Sequence, residues 1–320
     1  MKTALHTDWL PFALADWQET QKALHLRTQI IGKTRLALAP MQNHWWQTTL
    51  YVTARGLGTS PIPYGSGTFE IDFDFIDDVL IARTSDARTG TLKLRAQSIA
   101  SFYADYLTLL HSLDIEPELW PVPVEIANPV RFDDDDRPLP YDRDAVERCF
   151  RILLQVDRVL KEFRGEFLGK CSPSHFWWGS FDIACTRFSG RTAPTHPGGI
   201  PNLADFVTRE AYSHECISTG WWPGTVDGGV QEPAFYAYAY PEPVGCSDAA
   251  VRPATARYDT TLHEWILPYA AVIAADDPAV LVHEFLQSTY DVASRLGKWR
   301  PDLVRGRASQ HGFDSKRTSR

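Results

Sequence analysis

This 320-residue chain predicts an α+β fold in two similar halves packed about a pseudo-twofold axis. Three observations lead there. First, phrases recur: Ile31-Gly32-Lys33-Thr34 and Leu168-Gly169-Lys170-Cys171 each follow a long amphipathic stretch. His44-Trp45-Trp46 and then His175-Phe176-Trp177-Trp178 come next, and aligning them sets Thr48 against Ser180, Leu50 against Asp182 and Arg55 against Arg187. Second, each half ends in a similar helical run, Phe102 to Leu110 and Phe285 to Leu296. Third, strands follow strands without the βαβ alternation of a parallel sheet. A duplicated unit of this kind offers the cleft between its halves as the natural ligand site.

The first half covers residues 1–127. Residues 15–32 carry Trp17, Leu24, Ile30 and Ile31 among polar positions and predict a helix. Trp45 to Arg55 alternates, with Trp46, Leu50 and Val52 on one face, and predicts a strand. Pro61 to Gly67 predicts a rigid turn. Phe69, Ile71, Phe73 and Phe75 alternate with Glu70, Asp72 and Asp74, the clearest strand of the chain. Residues 78–83 and 91–95 complete an antiparallel sheet, and Ser98 to His111 has its apolar residues at helical spacing.

Residues 128–143, rich in proline and holding the run Asp133 to Asp136, predict a solvated acidic linker. The run lacks the glycine and terminal glutamate of a calcium loop. In the second half, 144–300, a helix is expected from Asp144 to about Leu168. Strands follow at 175–188, 212–221, 232–240 and 262–273, and a helix from Pro278 to Leu296 is capped by Asp276 or Asp277. The tail, 301–320, is basic, polar and expected to be unfolded.

The formal net charge of −8 would repel a phosphate backbone, so nucleic acid is not an expected partner. No run approaches the ~20 apolar residues that cross a bilayer, and no leader is expected, so neither is a membrane. Five cysteines without a CxxC fit a reducing compartment, and the cytoplasm is the expected location. Oligomeric state is not legible.

Unusual polar residues concentrate in the second half. Thr195-His196-Pro197-Gly198-Gly199-Ile200-Pro201-Asn202 has glycines that open backbone angles closed to other residues, so that amides can face a ligand and Asn202 can cap the next helix. An ordinary turn is the competing reading, since the loop matches neither a Walker motif nor GxGxxG. Tyr212 and His214 share one face of a predicted strand and can form an acid–base pair, against the alternative of a structural histidine. Read as one strand, His175 to Asp182 puts His175 and Trp177 on one face and Ser180 and Asp182 on the other. A carboxylate there requires a partner, and Arg187 or Arg191 are the candidates. Tyr236, Tyr238 and Tyr240 alternate with small alanines and can line a polar pocket. His263-Glu264 and His283-Glu284 lack the second histidine of HExxH, there is no GxSxG elbow, and no cysteine has a nucleophile context.

By these residues the chain resembles the bacterial family catalogued as domain of unknown function 5996. The shared phrases are Asn43 to Trp46, Ser60 to Gly65, Phe69 to Phe75, His175 to Asp182, Thr186 to Arg191, His196 to Asn202, Arg209 to Glu215 and Glu232 to Glu242. Trp177 departs from the phenylalanine expected there. The resemblance implies no activity or cofactor, but adds weight to these loops as the site.

The expected function is binding of a small polar or anionic molecule at the seam. In an enzyme, His214, His196, Asp182 and Tyr212 would be catalytic, with His214 the most important. Arg187, Arg191, His175, Trp178, Tyr236 and Tyr240 would hold the ligand. Two alternatives stay open: a non-catalytic binding module, and a metal-dependent enzyme recruiting two histidines with Glu232 or Glu242.

Overall fold

The computed structural model describes residues 9–225 and 230–304. It is an α+β fold of two antiparallel sheets with helices. The first sheet contains β1 (Tyr51–Val52), β2 (Gly56–Gly58), β3 (Ile62–Tyr64), β4 (Gly67–Asp74), β5 (Val79–Thr84) and β6 (Thr89–Lys93), in the order β1-β2-β4-β5-β6 with β3 also paired to β4. The second contains β7 (His175–Trp177), β8 (Asp182–Thr192), β9 (His214–Trp222), β10 (Ala234–Tyr240), β11 (Arg257–Asp259) and β12 (Glu264–Pro268), in the order β11-β12-β10-β9-β8-β7. The edges meet. Leu50 N–H donates to Phe176 O at 2.9 Å and Phe176 N–H donates back to Leu50 O at 2.8 Å, so neither edge is left open there.

Helix α1 (Gln18–Leu38) is buried around most of its second half, from Leu26 to Arg35. Its Gly32 admits Trp178: a Cβ there would lie 2.2 Å from the indole, whose Nε1 donates to Thr48 O at 2.7 Å. α2 (Ile99–His111) starts at Ser98, whose Oγ accepts from Ser101 N–H at 3.1 Å. α3 (Arg143–Gly165) is capped in the same way by Asp142. α4 (Asp205–Ala211) lies between β8 and β9, and α5 (Tyr269–Ile273) follows β12. α6 (Pro278–Leu296) begins with Asp277 as cap and proline in the first turn, where its missing N–H has no helical partner to lose.

Several expected elements differ. Asn43 to Thr48 forms 3-10 turns rather than a strand, with His44 and Trp45 at φ of 59° and 60°, leaving only Tyr51–Val52 extended. Part of the Pro61–Gly67 turn is β3. The expected strand 175–188 is a hairpin, because the chain turns at 178–181 with Phe181 at φ 60°. Residues 262–273 divide into β12 and α5, and Tyr212 caps the end of α4 instead of starting a strand. Ile31 to Thr34 lies inside α1, whereas Leu168 to Cys171 follows α3. In the acidic run, Asp135 is buried and takes two 2.7 Å bonds from Arg137. The tail from 305 lies outside the described residues, as do 1–8 and 226–229.

Candidate functional site

The second sheet has two chemically distinct faces. On one, Ile183, Cys185, Ile217, Trp221, Phe235, Ala237, Trp265 and Leu267 are buried, in the hydrophobic core that also takes in α3, α5 and α6. The other face carries the alternate residues. Tyr236 pairs with Gly220, Gly220 with Ala184, and Tyr238 with Ser218, so small residues lie beside the phenols. Asp182 lies at the start of β8 on this face, and Glu264, two residues before Ile266, the partner of Tyr236, lies on it too. Gly220 is required by close approach: a Cβ would lie 2.6 Å from Tyr236 Oη and 2.3 Å from Ile183 O. With that space open, the Tyr236 hydroxyl reaches and donates to Asp182 Oδ2, while Ser180 Oγ donates to Asp182 Oδ1.

Three carboxyls share this environment. Asp182 is only 7% exposed. Burial raises its pKa to about 6 against the opposing pull of the Ser180 and Tyr236 hydrogen bonds. Glu125 is pushed up to about 7 by desolvation and then by the charge of Asp182. Glu264 also rises to about 7, from desolvation first and then Asp182 and Asp259. Glu125 and Glu264 remain half-buried, so the group is enclosed but not sealed. Among the described residues, no lysine, arginine or histidine forms an ion pair with any of the three. The phenols of Tyr236 and Tyr238 are held protonated, chiefly by burial.

Loops close over this face. Tyr212 Oη and Tyr238 Oη are 2.7 Å apart, and His196 stacks on Tyr212 at 4.8 Å with Tyr240 at 4.9 Å. His196 Nδ1 accepts from Gly198 N–H at 3.0 Å, and desolvation favours the neutral ring, leaving Nε2–H as a donor. The glycine loop turns with Gly198 and Gly199 at φ of 82° and 88°, and Asp205 occupies its amide-lined concavity, accepting from Gly199 N–H at 3.1 Å. Asn202 caps no helix; it donates to Ile126 O and so ties this loop to the segment carrying Glu125. Glu125 N–H donates to Pro201 O at 2.9 Å. Gln29 of α1 brackets the same segment through Val124 N–H and O, both at 2.9 Å, and His25 Nε2 is 2.9 Å from Gly179 O. A Cβ at Gly179 would lie 2.0 Å from Glu125 Oε1, so glycine there lets the carboxyl approach.

Of the candidate residues, the structure links Asp182, Tyr236, Tyr212, Tyr240 and His196 through these contacts, with Tyr238 between. The other candidates lie elsewhere. Arg187 lies on the core face, fully buried, its guanidinium 3.3 Å from the centre of the Phe163 ring. Arg191 pairs with Glu215 at 2.6 Å and donates to Gly297 O and Lys298 O, fastening the end of α6. Neither arginine partners Asp182. Trp178 is buried against α1. His175 is 1% exposed among Trp46, Tyr51 and Trp177, and burial lowers its pKa to about 3. Across the hairpin Trp177 pairs with Asp182, so those two share a face, contrary to a single-strand count.

His214 joins a different group. Its ring meets that of His44 edge-on at 5.7 Å and its Nδ1 is 3.1 Å from Ser213 Oγ. His44 donates from Nδ1 to Ala211 O at 2.9 Å, and its Nε2 accepts from Lys170 Nζ at 2.7 Å. His263 reaches Glu242 at 2.9 Å. No group of three or more His, Cys, Asp or Glu able to hold a metal ion occurs among the described residues. Two grooves elsewhere, of about 390 Å³ along Leu107 to Pro117 and about 210 Å³ between Tyr51 and Arg164, contain none of the clustered carboxyls.

Glu125 and Glu264 are the members sequence reasoning missed. Neither lies in an alternating polar pattern of its own: Glu125 sits in a proline-rich connection, and Glu264 resembled a failed zinc motif. A family model described as Family of unknown function (DUF5996) matches residues 9–305. The chain belongs to that family. No curated protein and no solved structure matches it. The DUF5996 match takes in the whole carboxyl–tyrosine cluster, from Glu125 to Glu264. No helix of this DUF5996 chain, among the described residues, is long and apolar enough to cross a membrane.

Proposed function

We propose that the chain binds a small polar molecule bearing a positive charge or several hydrogen-bond donors, at the group formed by Asp182, Glu125, Glu264 and the tyrosines. One observation carries this reading: three interacting carboxyls with raised proton affinity and, among the described residues, no basic partner. A cationic group among them would supply the missing counter-charge, and the tyrosine faces would add cation–π attraction. An anion would meet repulsion there, and the arginines expected to hold one are engaged elsewhere.

Enzyme chemistry at this group is supported by the electrostatic interaction of Asp182 with Glu125. Two neighbouring carboxyls that titrate around neutrality can hold one proton between them, the state from which one acts as acid and the other as base. His196 would orient the substrate through Nε2–H. A binding module would use the same residues without turnover. The test is calorimetric titration with a panel of small amines, amino sugars and carboxylates in buffers of differing ionisation heat. A cationic ligand should release protons as it binds, bind more tightly at pH 8 than at pH 5, and lose at least ~10-fold in affinity to Asp182→Asn, about 1.4 kcal/mol. Carboxylates that bind in preference to amines, unaffected by that substitution, would remove the reading.

We also read the two halves as copies of one ancestral unit, in which Leu50 and Asp182 occupy equivalent places and only the second copy keeps a site. The helix–sheet–helix order of each half supports the duplication. Superposition of the halves tests it. Five free cysteines support a cytoplasmic location, testable by fractionation.

A further inference from the structure

We propose that Cys171 and Cys185 form a peroxide-reactive dithiol that closes to a disulfide, with Arg187 as the charge that activates it. The geometry brings together residues fourteen positions apart that sequence spacing leaves unrelated. The segment before β7 runs antiparallel to β8: Ser172 N–H donates to Thr186 O at 2.8 Å and Phe188 N–H to Lys170 O at 3.0 Å, with Cys171 bridged to Arg187. Cys171 and Cys185 are thus diagonal neighbours on one face, their Sγ atoms 3.5 Å apart. Closing that gap to the ~2.05 Å of a disulfide requires a movement of about 1.5 Å, within reach of side-chain rotation and a small strand shift.

The two sulfurs are not equivalent. Cys171 is half-buried and Cys185 wholly buried, so an oxidant meets Cys171 first. Beside them the Arg187 guanidinium is fully buried; its Nη2 donates to Phe163 O, while Nε and Nη1 have no hydrogen-bond partner among the described residues. The rings of Phe163, Phe167 and Tyr290 and the charge of Glu166 answer part of this buried cation, and a thiolate at Cys171 beside it adds a further anion. Arg164, which donates to Ser172 O at 2.8 Å, adds a second positive charge. The hydrogen bond from Cys185 and these two arginines lower the Cys171 pKa, whereas Cys185 is held as a thiol.

The chemistry balances with hydrogen peroxide as oxidant. The Cys171 thiolate attacks one peroxide oxygen, the O–O bond breaks, and the departing hydroxide takes a proton to become water, leaving a sulfenic acid. Cys185 sulfur then attacks Cys171 sulfur, the S–O bond breaks, and the hydroxide leaves as a second water with the Cys185 proton. The dithiol loses two electrons and the peroxide gains them.

The reduced full chain should be treated with about two equivalents of hydrogen peroxide, then denatured with N-ethylmaleimide and weighed intact. The untreated protein should take up five maleimides, one per cysteine, and the oxidised protein three, with a linked peptide pair joining Cys171 to Cys185. Cys185→Ser should instead give a dimedone adduct on Cys171. Five maleimides after peroxide, or a linkage between other cysteines, would overturn the proposal on the wild-type protein alone.

Discussion

Replacing Asp182 by asparagine should stabilise the protein at pH 8 while changing little near pH 4. The carboxyl is 7% exposed, and its pKa rises from an ordinary 3.8 to about 6. A carboxyl with a raised pKa binds its proton more tightly folded than unfolded. Its contribution is therefore fully present below about 3.8 and is lost as pH rises through about 6. At 1.36 kcal/mol per pH unit, the rise amounts to about 3 kcal/mol of destabilisation carried by the ionised form. Asparagine keeps the shape without the charge, and its removal of charge also relieves Glu125 and Glu264, whose pKa values Asp182 helps to raise. Losing the charged acceptor of two hydrogen bonds is already contained in that rise, which is net of them. In urea unfolding with a slope of about 3 kcal/mol per M, the variant midpoint should exceed that of wild type by up to about 1 M at pH 8, and the two should converge toward pH 4. A variant less stable than wild type at pH 8, or a difference independent of pH, would refute the reasoning, since Asp182 would then be a comfortably ionised group.

Tyr236→Phe removes a donor to the same carboxylate, so it should lower stability by about 1.5–3 kcal/mol at pH 8 and much less at pH 4, read from the same urea curves. Gly220→Ala forces a methyl group against backbone Ile183 O and the Tyr236 hydroxyl, and should lower stability by about 1–3 kcal/mol at every pH. His214→Gln should leave ligand affinity at the carboxyl group unchanged, because its ring meets His44 and Ser213 instead; a ~10-fold loss in calorimetry would place it in the site after all. Arg191→Gln releases two carbonyls at the end of α6, and hydrogen exchange should quicken in the last turn of that helix while the second sheet stays protected.

The sequence by itself determined the ordered alternation of helices and antiparallel strands. It did so where period and punctuation agree: Phe69 to Phe75 for β4, Ser98 for the start of α2, Asp277-Pro278 for that of α6. It also singled out Tyr236 and Asp182, because a phenol ladder among alanines and a carboxylate in an apolar strand are visible as local anomalies, whereas Tyr212 was picked for a strand face shared with His214 that the end of α4 replaces. What it could not determine is which face each residue joins. That depends on where a strand turns, and the positive φ of Phe181 within 178–181 reverses the apparent relation of Asp182 to Trp177. Partners distant in sequence were equally invisible. Glu125 meets Asp182 across 57 positions because Gln29, Pro201 and Asn202 hold its loop in place, and Gly179 leaves it room. The arginines illustrate the same limit: charge alone suggested ligand contacts, but tertiary packing assigned Arg187 to aromatic rings and two thiols and Arg191 to a helix end. Local pattern records a residue's own conformational preference, whereas its proton affinity and partners are set by desolvation and by charges brought near only when the chain folds.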